Sequence, residues 1–352
     1  MLFTKKDQLV GLDIGSRTIK VAEIKGLRKG DKPSLKKFGM IDISHGAIEE
    51  GGIKKPEEVA DAIKQLFKAY NIRESNVAVS VGGYSLIVKK INVQSMTEEQ
   101  LQETIQFEAE QYIPFDIKDV NLDFQILGEN KDGHRMNVLL VAAKSDMVDS
   151  YISLLEMVGL NPRIIDVEAF ALQNIFEFNY KPKKENVALI DIGAGKTSLN
   201  ILKGRDSVFM RDVSLGCGQI NQKIVNLLDC TMEEADQIKF SENSDRISPE
   251  DLNEIISSVV SDWCVEIKRA LEFFYSTYPD DQIMTILISG GGGNIEKFKK
   301  LLAAETTTRV ETINPFKGFY LDEDKIDPSY IKQIAPQAAI CMGLAIRRVN
   351  DK

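Results

Sequence analysis

The sequence has few of the side chains that build metal cages and nucleophilic catalytic sites. It contains two histidines, His45 and His134, which are far apart in the chain, and four cysteines, none of which forms a C-x-x-C pair. A zinc site needs closely spaced cysteine and histidine ligands, and a Ser-His or Cys-His nucleophile needs a histidine. Scattered thiols are typical of a protein in a reducing compartment. The sequence therefore argues against a zinc protein and against a histidine-activated hydrolase.

The sequence also lacks an excess of positive charge and a long apolar segment. Its 44 Lys and Arg residues stand against 53 Asp and Glu residues, which gives a formal net charge of -9, so we expect no nucleic-acid partner. The longest apolar run, at 138–143, is about six residues long, whereas a membrane span needs about twenty. Asp13 interrupts the only apolar stretch near the N-terminus, which argues against a signal peptide. These features predict a cytoplasmic protein.

What the chain does contain is enough apolar sequence for a large core. It has 352 residues, of which 43% are hydrophobic, and this length suits two or three domains. Residues 11–26 align without a gap to residues 189–204, and both segments have the pattern of a β-hairpin with a polar Asp-x-Gly tip. The repeat predicts a duplicated α/β protein with two halves of similar design.

Helix and strand patterns alternate along the rest of the chain. Pro56 suits a first helical turn, Thr97 and Gln100 have the spacing of a capping box, and Gly159 suits a helix C-terminus. A polar stretch at 241–248 indicates a connection between two helices. The predicted helices cover residues 56–70, 98–112, 146–158, 169–178, 219–228, 249–278, 294–303 and 336–348, and predicted strands cover residues 76–81 and 136–143 and an extended segment after Tyr112.

The two hairpin tips carry residue types that bind phosphate and magnesium. Glycine allows consecutive backbone N–H groups to approach an anion, and hydroxyl and ammonium groups complete such a cradle. An aspartate at the end of each first strand, Asp13 and Asp191, can hold a hydrated magnesium ion. Ordinary hairpin turns are the alternative, but two matched tips favour a binding site. The side chains that complete the cradles are Ser16, Thr18, Lys20, Lys196 and Thr197.

Two better-known phosphate-binding patterns do not fit the second tip. Gly195, Lys196 and Thr197 look like the end of a P-loop, but Ile190 stands where that pattern needs its first glycine, and a strand-like segment follows where it needs a helix. A dinucleotide fingerprint would need glycine or alanine at the position of Ser198. The second tip therefore indicates neither a P-loop nor a dinucleotide-binding fold.

Four consecutive glycines, Gly290 to Gly293, follow a buried-strand run and precede a predicted helix. A helix N-terminus after a glycine-rich turn favours a phosphate or a flat ring lying against the backbone. A simple tight turn is the alternative, but it needs only one or two glycines. The four glycines therefore favour a binding role.

Two Asp-x-Gly hairpins, a glycine-rich turn and a small-residue helix at 336–345 follow one another in the order found in a known superfamily. The chain resembles actin, sugar kinases and the heat-shock chaperone ATPases. The resemblance implies a duplicated actin-like (ribonuclease H-like) fold around a nucleotide cleft, with ATP and Mg2+ as cofactors and Asp13 and Asp191 as metal ligands. The nucleotide-binding residues that it implies are Asp13, Gly15, Ser16, Arg17, Thr18, Lys20, Asp191, Gly193, Ala194, Gly195, Lys196, Thr197, Gly216, Glu266, Lys268, Arg269, Gly290, Gly291, Gly292 and Gly293.

The resemblance assigns roles that the residues alone leave open. Glu168 would be the catalytic carboxylate that polarises the attacking water, although a glutamate that begins a helix also suits the helix dipole. Glu266, Lys268 and Arg269 would contact adenine and ribose, and the alternative for them is a solvated charged helix face.

Three residues depart from the usual pattern of the superfamily. Ala194 and Lys196 stand where many members have glycine and threonine, and Arg17 adds a second cation at the first tip. Extra positive charge should hold a triphosphate more tightly, but tight ground-state binding does not itself accelerate hydrolysis. Weak ATPase activity and no ATPase activity therefore both stay open.

Within the superfamily the sequence is similar to the FtsA-like branch, and more specifically to the PilM family of type IV pilus assembly proteins. Residues 9–16 and 108–116 carry this similarity. It implies an FtsA-like extra subdomain inserted in the first half. The implied subdomains cover residues 1–87 with 160–184, residues 88–159, residues 185–218 with 282–352, and residues 219–281.

The similarity to PilM implies an actin-like ATP-binding protein of the inner-membrane platform, required for pilus biogenesis and twitching motility. Its expected partner is the cytoplasmic N-terminal peptide of PilN, with other platform proteins, pilus motor ATPases and a second copy of the chain as further candidates. The chain ends at Lys352 without an amphipathic membrane helix, so we expect it to reach the membrane only through partners. The alternatives are a polymerising FtsA-like or actin-like ATPase, the equivalent scaffold of a competence or type II secretion system, and a small-molecule kinase.

Overall fold

The computed structural model describes residues 9–27, 33–129, 133–181, 185–240, 246–322 and 327–349. Residues 241–245 of the predicted polar connection lie outside these ranges. Within the described ranges, no helix combines the length and the apolar character that a membrane crossing requires.

The first half runs to Lys181 and contains the first hairpin and an inserted three-stranded sheet. Its elements are β1 Val10–Ile14, β2 Thr18–Lys25, β3 Ser34–Asp42, β4 Ile48–Glu49, β5 Gly52–Ile53, α1 Pro56–Ala69, β6 Asn76–Val81, β7 Leu86–Gln94, α2 Glu98–Glu110, β8 Val120–Glu129, β9 Arg135–Lys144, α3 Ser145–Met157, β10 Asn161–Val167 and α4 Glu168–Tyr180.

The second half begins at Glu185 and contains the second hairpin and a long helix. Its elements are β11 Asn186–Ile192, β12 Thr197–Lys203, β13 Asp206–Val213, α5 Gly218–Leu228, α6 Met232–Phe240, α7 Pro249–Thr277, β14 Ile283–Ser289, α8 Glu296–Thr306, β15 Arg309–Thr312, α9 Pro328–Ile334 and α10 Ala339–Ala345.

Each half contains a five-stranded mixed sheet, and the two sheets have the same strand order. The first runs β3-β2-β1-β6-β10 and the second runs β13-β12-β11-β14-β15. In both, the hairpin is extended by an antiparallel strand on one side and by two parallel strands on the other. This confirms the predicted duplicated α/β design. Because β1 and β11 have neighbours on both sides, the tips that follow them are held in place by the centre of each sheet.

Helices α4 and α10 join the two halves through one apolar core. Their buried residues pack together with Ala22 of the first sheet and Leu189 of the second. The helices approach so closely that a Cβ atom at Gly343 would overlap the backbone carbonyl of Ala171. The two hairpins are therefore positioned relative to each other by a shared, close-packed core.

The predicted single helix at 336–348 is wrong in its extent. A 3-10 turn, Ala335–Ala338, comes first, and the helix itself covers only α10. The carbonyl of Pro336 accepts a hydrogen bond from the N–H of Gly290 at 2.8 Å. The first turn of the predicted helix is therefore a 3-10 turn whose Pro336 carbonyl also bonds to the glycine-rich turn.

The inserted sheet has the order β7-β9-β8 and forms a separate apolar core with α2. Thr97 and Gln100 make the predicted capping box at the start of α2. The extended segment predicted after Tyr112 is instead a turn, in which Asp116 accepts a hydrogen bond from the N–H of Lys118 at 3.0 Å. This side-chain cap stabilises a short 3-10 turn, and the strand begins only at Val120.

Candidate functional site

The two hairpin tips have matching backbone geometry. In the first, the N–H of Gly15 donates to the carbonyl of Thr18 at 3.2 Å, and in the second the N–H of Gly193 donates to the carbonyl of Lys196 at 2.9 Å. Each bond closes a tight loop directly after an aspartate-bearing strand. The sequence repeat therefore corresponds to a repeat of local structure at both tips.

Asp13 and Lys20 form a nearly buried ion pair at the first tip. They face each other across the β1–β2 hairpin, and the ammonium of Lys20 lies 2.9 Å from the Oδ2 atom of Asp13. Burial lowers the pKa of Lys20, but the charge and hydrogen bond of Asp13 outweigh it and raise the pKa. The charge of Asp191 also raises it, so the second tip acts electrostatically on the first.

Asp191 occupies the equivalent position of the second tip, without a facing lysine. The hydroxyl of Ser289 donates to its Oδ1 atom at 2.7 Å. The pKa of Asp191 is raised to about 6, chiefly by burial and also by the negative charges of Glu168 and Asp13, against the opposing effects of the Ser289 hydrogen bond and the Lys20 charge. The predicted metal ligands Asp13 and Asp191 are thus close enough for their charges to interact.

Glu168 and Lys196 form an ion pair between the halves. Glu168 begins α4, and its Oε2 atom lies 2.5 Å from the ammonium of Lys196, which is also 3.5 Å from a carboxylate oxygen of Asp212. Burial lowers the pKa of Lys196, but the two carboxylates raise it overall. A Cβ atom at Gly82, which follows β6, would overlap the Glu168 carboxylate. Gly82 therefore makes room for the pair.

The loop after β13 packs directly onto the second tip. The N–H of Cys217 donates to the Gly193 carbonyl at 2.9 Å and the N–H of Gly218 donates to the Ala194 carbonyl at 2.8 Å. A Cβ atom at Gly216 would overlap the Ala194 carbonyl, so glycine is required there. The loop also contacts Thr197, whose buried hydroxyl donates to the Leu215 carbonyl at 2.8 Å. This hydrogen bond stabilises the turn.

The glycine-rich turn lies beside the second tip. Gly290 has a φ of 79°, and a Cβ atom there would overlap the Ile192 carbonyl. Cβ atoms at Gly292 and Gly293 would lie 2.6 Å from the Ile192 side chain and 2.8 Å from Pro336. The protein's own packing thus requires three of the four glycines. Gly291 has only ordinary contacts at 3.7 Å or more, which leaves it the most accessible to a ring.

Arg17 points away from the first tip and toward α6. Its guanidinium lies 2.7 Å from the Oδ2 atom of Asp236 and also donates to the Ile43 carbonyl. His45 lies 3.0 Å from the same oxygen of Asp236. Asp236 was not among the predicted residues. A capping box formed by Thr231 and Glu234 is the sequence signal that could have located α6.

Three predicted adenine contacts lie on the solvent side of α7. Glu266 and Arg269 pair with each other, and the ammonium of Lys268 lies 3.2 Å from a carboxylate oxygen of Glu305 in α8. This arrangement is the charged helix face that the sequence left as the alternative. Their contact with a nucleotide stays a prediction.

The cleft side chains from both halves converge on a small shared space. Glu168 and Asp191 line one cavity together with Ser198 and Asn200. Among the described residues, no three metal-ligating side chains form a cluster. A magnesium ion that keeps several water ligands needs only one or two carboxylates, so Asp13 and Asp191 fit such an ion and do not fit a metal held by protein alone.

Comparison with known proteins identifies the family. The family model described as type IV pilus assembly protein PilM matches residues 11–349. The structure is similar to a PilM-PilN type IV pilus biogenesis complex, with a TM-score of 0.86 and 26% identity over 98% of this chain and 99% of that chain.

Two more distant structures show the fold alone. Ethanolamine utilization protein EutJ from Carboxydothermus hydrogenoformans has a TM-score of 0.59 and 12% identity, over 98% of this chain and 90% of that chain. MreB 5 of Spiroplasma citri bound to AMPPNP has a TM-score of 0.52 and 14% identity, over 97% of this chain and 95% of that chain. They confirm the predicted duplicated actin-like fold. Since the family model covers almost the whole chain, this protein belongs to the PilM family of type IV pilus assembly proteins.

Proposed function

We propose that this protein binds Mg-ATP between its two halves and acts in the inner-membrane platform of the type IV pilus, where it binds the cytoplasmic N-terminal peptide of a PilN protein. The observation that carries the proposal is the similarity, over 98% of the chain, to a PilM-PilN type IV pilus biogenesis complex. The peptide would provide the contact with the membrane. We also propose that the chain forms four subdomains and that the one formed by residues 88–159 is the insertion that binds the peptide.

The charges and the positions of the residues at the two tips suit a nucleotide with a bound magnesium ion. Lys20 and Lys196 supply positive charge, and Asp13 and Asp191 supply carboxylates for a hydrated magnesium ion. When bound, the ion would neutralise phosphate charge. The chain's own contribution is to hold these groups on two tips that share a core. The AMPPNP in the similar MreB 5 structure supports ATP as the ligand.

The nucleotide would act chiefly as a bound ligand. The predicted catalytic carboxylate, Glu168, is paired with Lys196 at 2.5 Å, and it could orient a water for hydrolysis only after the ammonium releases it. The residues therefore support nucleotide binding, with hydrolysis weak or absent. Nucleotide affects the peptide site only if it favours one arrangement of the halves over another.

The inserted sheet offers two routes for binding an extended peptide. Its outer strands β7 and β8 are both edges, and an edge strand presents unpaired backbone groups to which a peptide can add. Strand β7 follows β6 of the first sheet, and β9 leads into α3, so the second route is the junction between the insertion and the first sheet. Both use main-chain hydrogen bonds for affinity and side-chain pockets for specificity.

Calorimetric titration of the full chain tests the proposal. Mg-ATP and a synthetic N-terminal peptide of the PilN protein from the same genome are titrated separately, and a scrambled peptide of identical composition is the control. We expect binding of ATP and of the native peptide only. Equal binding of the scrambled peptide, or no binding of either peptide, would contradict the PilN assignment. ATP binding without peptide binding, together with nucleotide-dependent sedimentation, would favour the polymerising alternative.

A further inference from the structure

Lys196 is a departure from the superfamily pattern whose ammonium lies between the two halves, beside the predicted catalytic carboxylate. Its ammonium contacts Glu168, the first residue of α4, at 2.5 Å and Asp212 of β13 at 3.5 Å. The side chain is 25% exposed, so a ligand in the cleft can reach it. Many superfamily members have threonine at this position, which has no charge to pair with Glu168.

The charge balance around Lys196 is unfavourable for an anion. Among the described side chains of the two tips and their direct partners, the four carboxylates of Asp13, Glu168, Asp191 and Asp212 stand with the two ammonium groups of Lys20 and Lys196. Lys20 is nearly buried against Asp13. Lys196 is therefore the ammonium of the two tips that a ligand can reach, and a phosphate would compete for it with Glu168 and Asp212.

The geometry points to a competition for this ammonium. We propose that Lys196 is a positioning residue that the terminal phosphate of a nucleoside triphosphate draws away from Glu168, so that Glu168 and the phosphate compete for one cation. This inference rests on the proposed nucleotide function and adds a residue-level mechanism to it. A diphosphate lacks the terminal phosphate and would leave the Glu168–Lys196 pair in place. Lys196 would thereby favour ATP over ADP and release Glu168 only when the triphosphate is bound.

Competition predicts opposite changes in ATP affinity for substitutions of Glu168 and of Lys196. Glu168→Gln removes the competitor, so ATP should bind about tenfold more tightly, the size expected for one charge-assisted hydrogen bond. Lys196→Met removes the cation, so ATP should bind about tenfold more weakly. ADP affinity should change by less than about threefold in both variants, because no terminal phosphate is present to compete.

The double variant separates competition from simple charge repulsion. Removing a nearby carboxylate weakens charge repulsion and so favours binding of an anion, whether or not Lys196 is present. Relief of competition, by contrast, requires the lysine. In the Lys196→Met background, Glu168→Gln should therefore give only a small part of the gain in ATP affinity that it gives in the wild type. Glu177→Gln is the matched control, because Glu177 lies on the same helix but pairs with Arg205 at 3.6 Å. It should leave ATP and ADP affinities unchanged.

The experiment is calorimetric titration of the full-length wild type and these variants with Mg-ATP, Mg-ADP and inorganic tripolyphosphate. Thermal melting of each ligand-free variant verifies folding, and Lys196→Gln replaces Lys196→Met if the latter is unstable. A gain from Glu168→Gln that is equally large without Lys196, or no gain at all in the wild type, would overturn the inference while wild-type ATP binding stands. If the wild type binds none of the three ligands, both the inference and the proposed nucleotide function fail.

Discussion

At the scale of single residues, burial decides what the tip residues do. The sequence predicts Asp13 as a metal ligand at a polar hairpin tip. In the structure it is 6% exposed and pairs with Lys20, which is 8% exposed. Removing one partner of a buried ion pair leaves the other charge without compensation. Asp13 is therefore important for stability as well as for the predicted ligand site.

Asp13→Ala should lower the free energy of unfolding by about 3 to 5 kcal/mol, because it leaves the Lys20 ammonium buried without a partner. The double variant Asp13→Ala/Lys20→Met should regain part of that loss. Urea denaturation followed by circular dichroism measures both. Asp61→Ala is the control, because Asp61 pairs with Lys64 on the exposed surface of α1 and should cost less than about 1 kcal/mol. Equal losses for Asp13→Ala and Asp61→Ala would show that the buried pair contributes nothing.

At the scale of secondary-structure elements, local signals in the sequence predict a boundary correctly where nearby residues supply the hydrogen-bond partners of the backbone. The capping box at Thr97 and Gln100 correctly marks the start of α2, and Pro249 begins α7, with Ser248 as its N-cap. The helix predicted from Pro336 is an exception. The carbonyl of Pro336 accepts a hydrogen bond from Gly290, far away in the chain. Boundaries are thus missed where a distant segment supplies a hydrogen-bond partner, as at Pro336, and where a local side-chain cap is not recognised, as at Asp116.

Thr97→Ala should destabilise the start of α2 by about 1 kcal/mol, because the N–H of Gln100 loses its side-chain acceptor. Hydrogen exchange of the α2 amides measures this, and exchange should become about fivefold faster in the first turn. Gln102→Ala, at an exposed position of the same helix, is the control and should leave the exchange rates unchanged. A similar acceleration in both variants would assign the effect to side-chain removal in general.

At the scale of the whole molecule, polar contacts link the halves beside the cleft. Asp236 of α6 accepts from Arg17 at 2.7 Å and contacts His45 at 3.0 Å, both from the first half. Burial disfavours its charge, but hydrogen bonds from Lys239, Asn221 and His45 and the positive charge of Lys239 outweigh burial and lower the pKa of Asp236. We expect this cluster to hold the halves in the arrangement described.

The cluster predicts a pH dependence of stability. The pKa of Asp236 is lower in the folded protein than the unfolded value of about 3.9. Its contribution is therefore complete above about pH 4 and is lost as the pH falls further toward the folded pKa. Asp236→Asn should be less stable than the wild type near neutral pH, and the difference should shrink below about pH 4.

Urea unfolding across this pH range measures the difference, and Asp61→Asn at an exposed position serves as the control. Small-angle scattering of Asp236→Asn near neutral pH adds an independent readout, since loss of the link between the halves should increase the radius of gyration. A stability difference that is independent of pH would contradict the role of the Asp236 charge.

The sequence by itself determined the features that are local or repeated. The two Asp-x-Gly hairpins are recognisable because strand alternation and turn residues are properties of neighbouring positions, and their repetition predicted the duplicated fold. The same pattern placed Asp13 and Asp191 at the ends of central strands, where the structure has them. Family membership followed from the order of these segments along nearly the whole chain.

Only the tertiary structure decided which side chains meet. The pairing of Lys196 with Glu168, of Arg17 with Asp236, and of the Thr197 hydroxyl with the Leu215 carbonyl joins segments that are separate in the chain. Sequence spacing cannot show such contacts, because the partner of a charged or polar side chain is fixed by how helices and sheets pack. The physical reason is that burial makes an unpaired polar group costly, so the packed protein selects partners that no local pattern records.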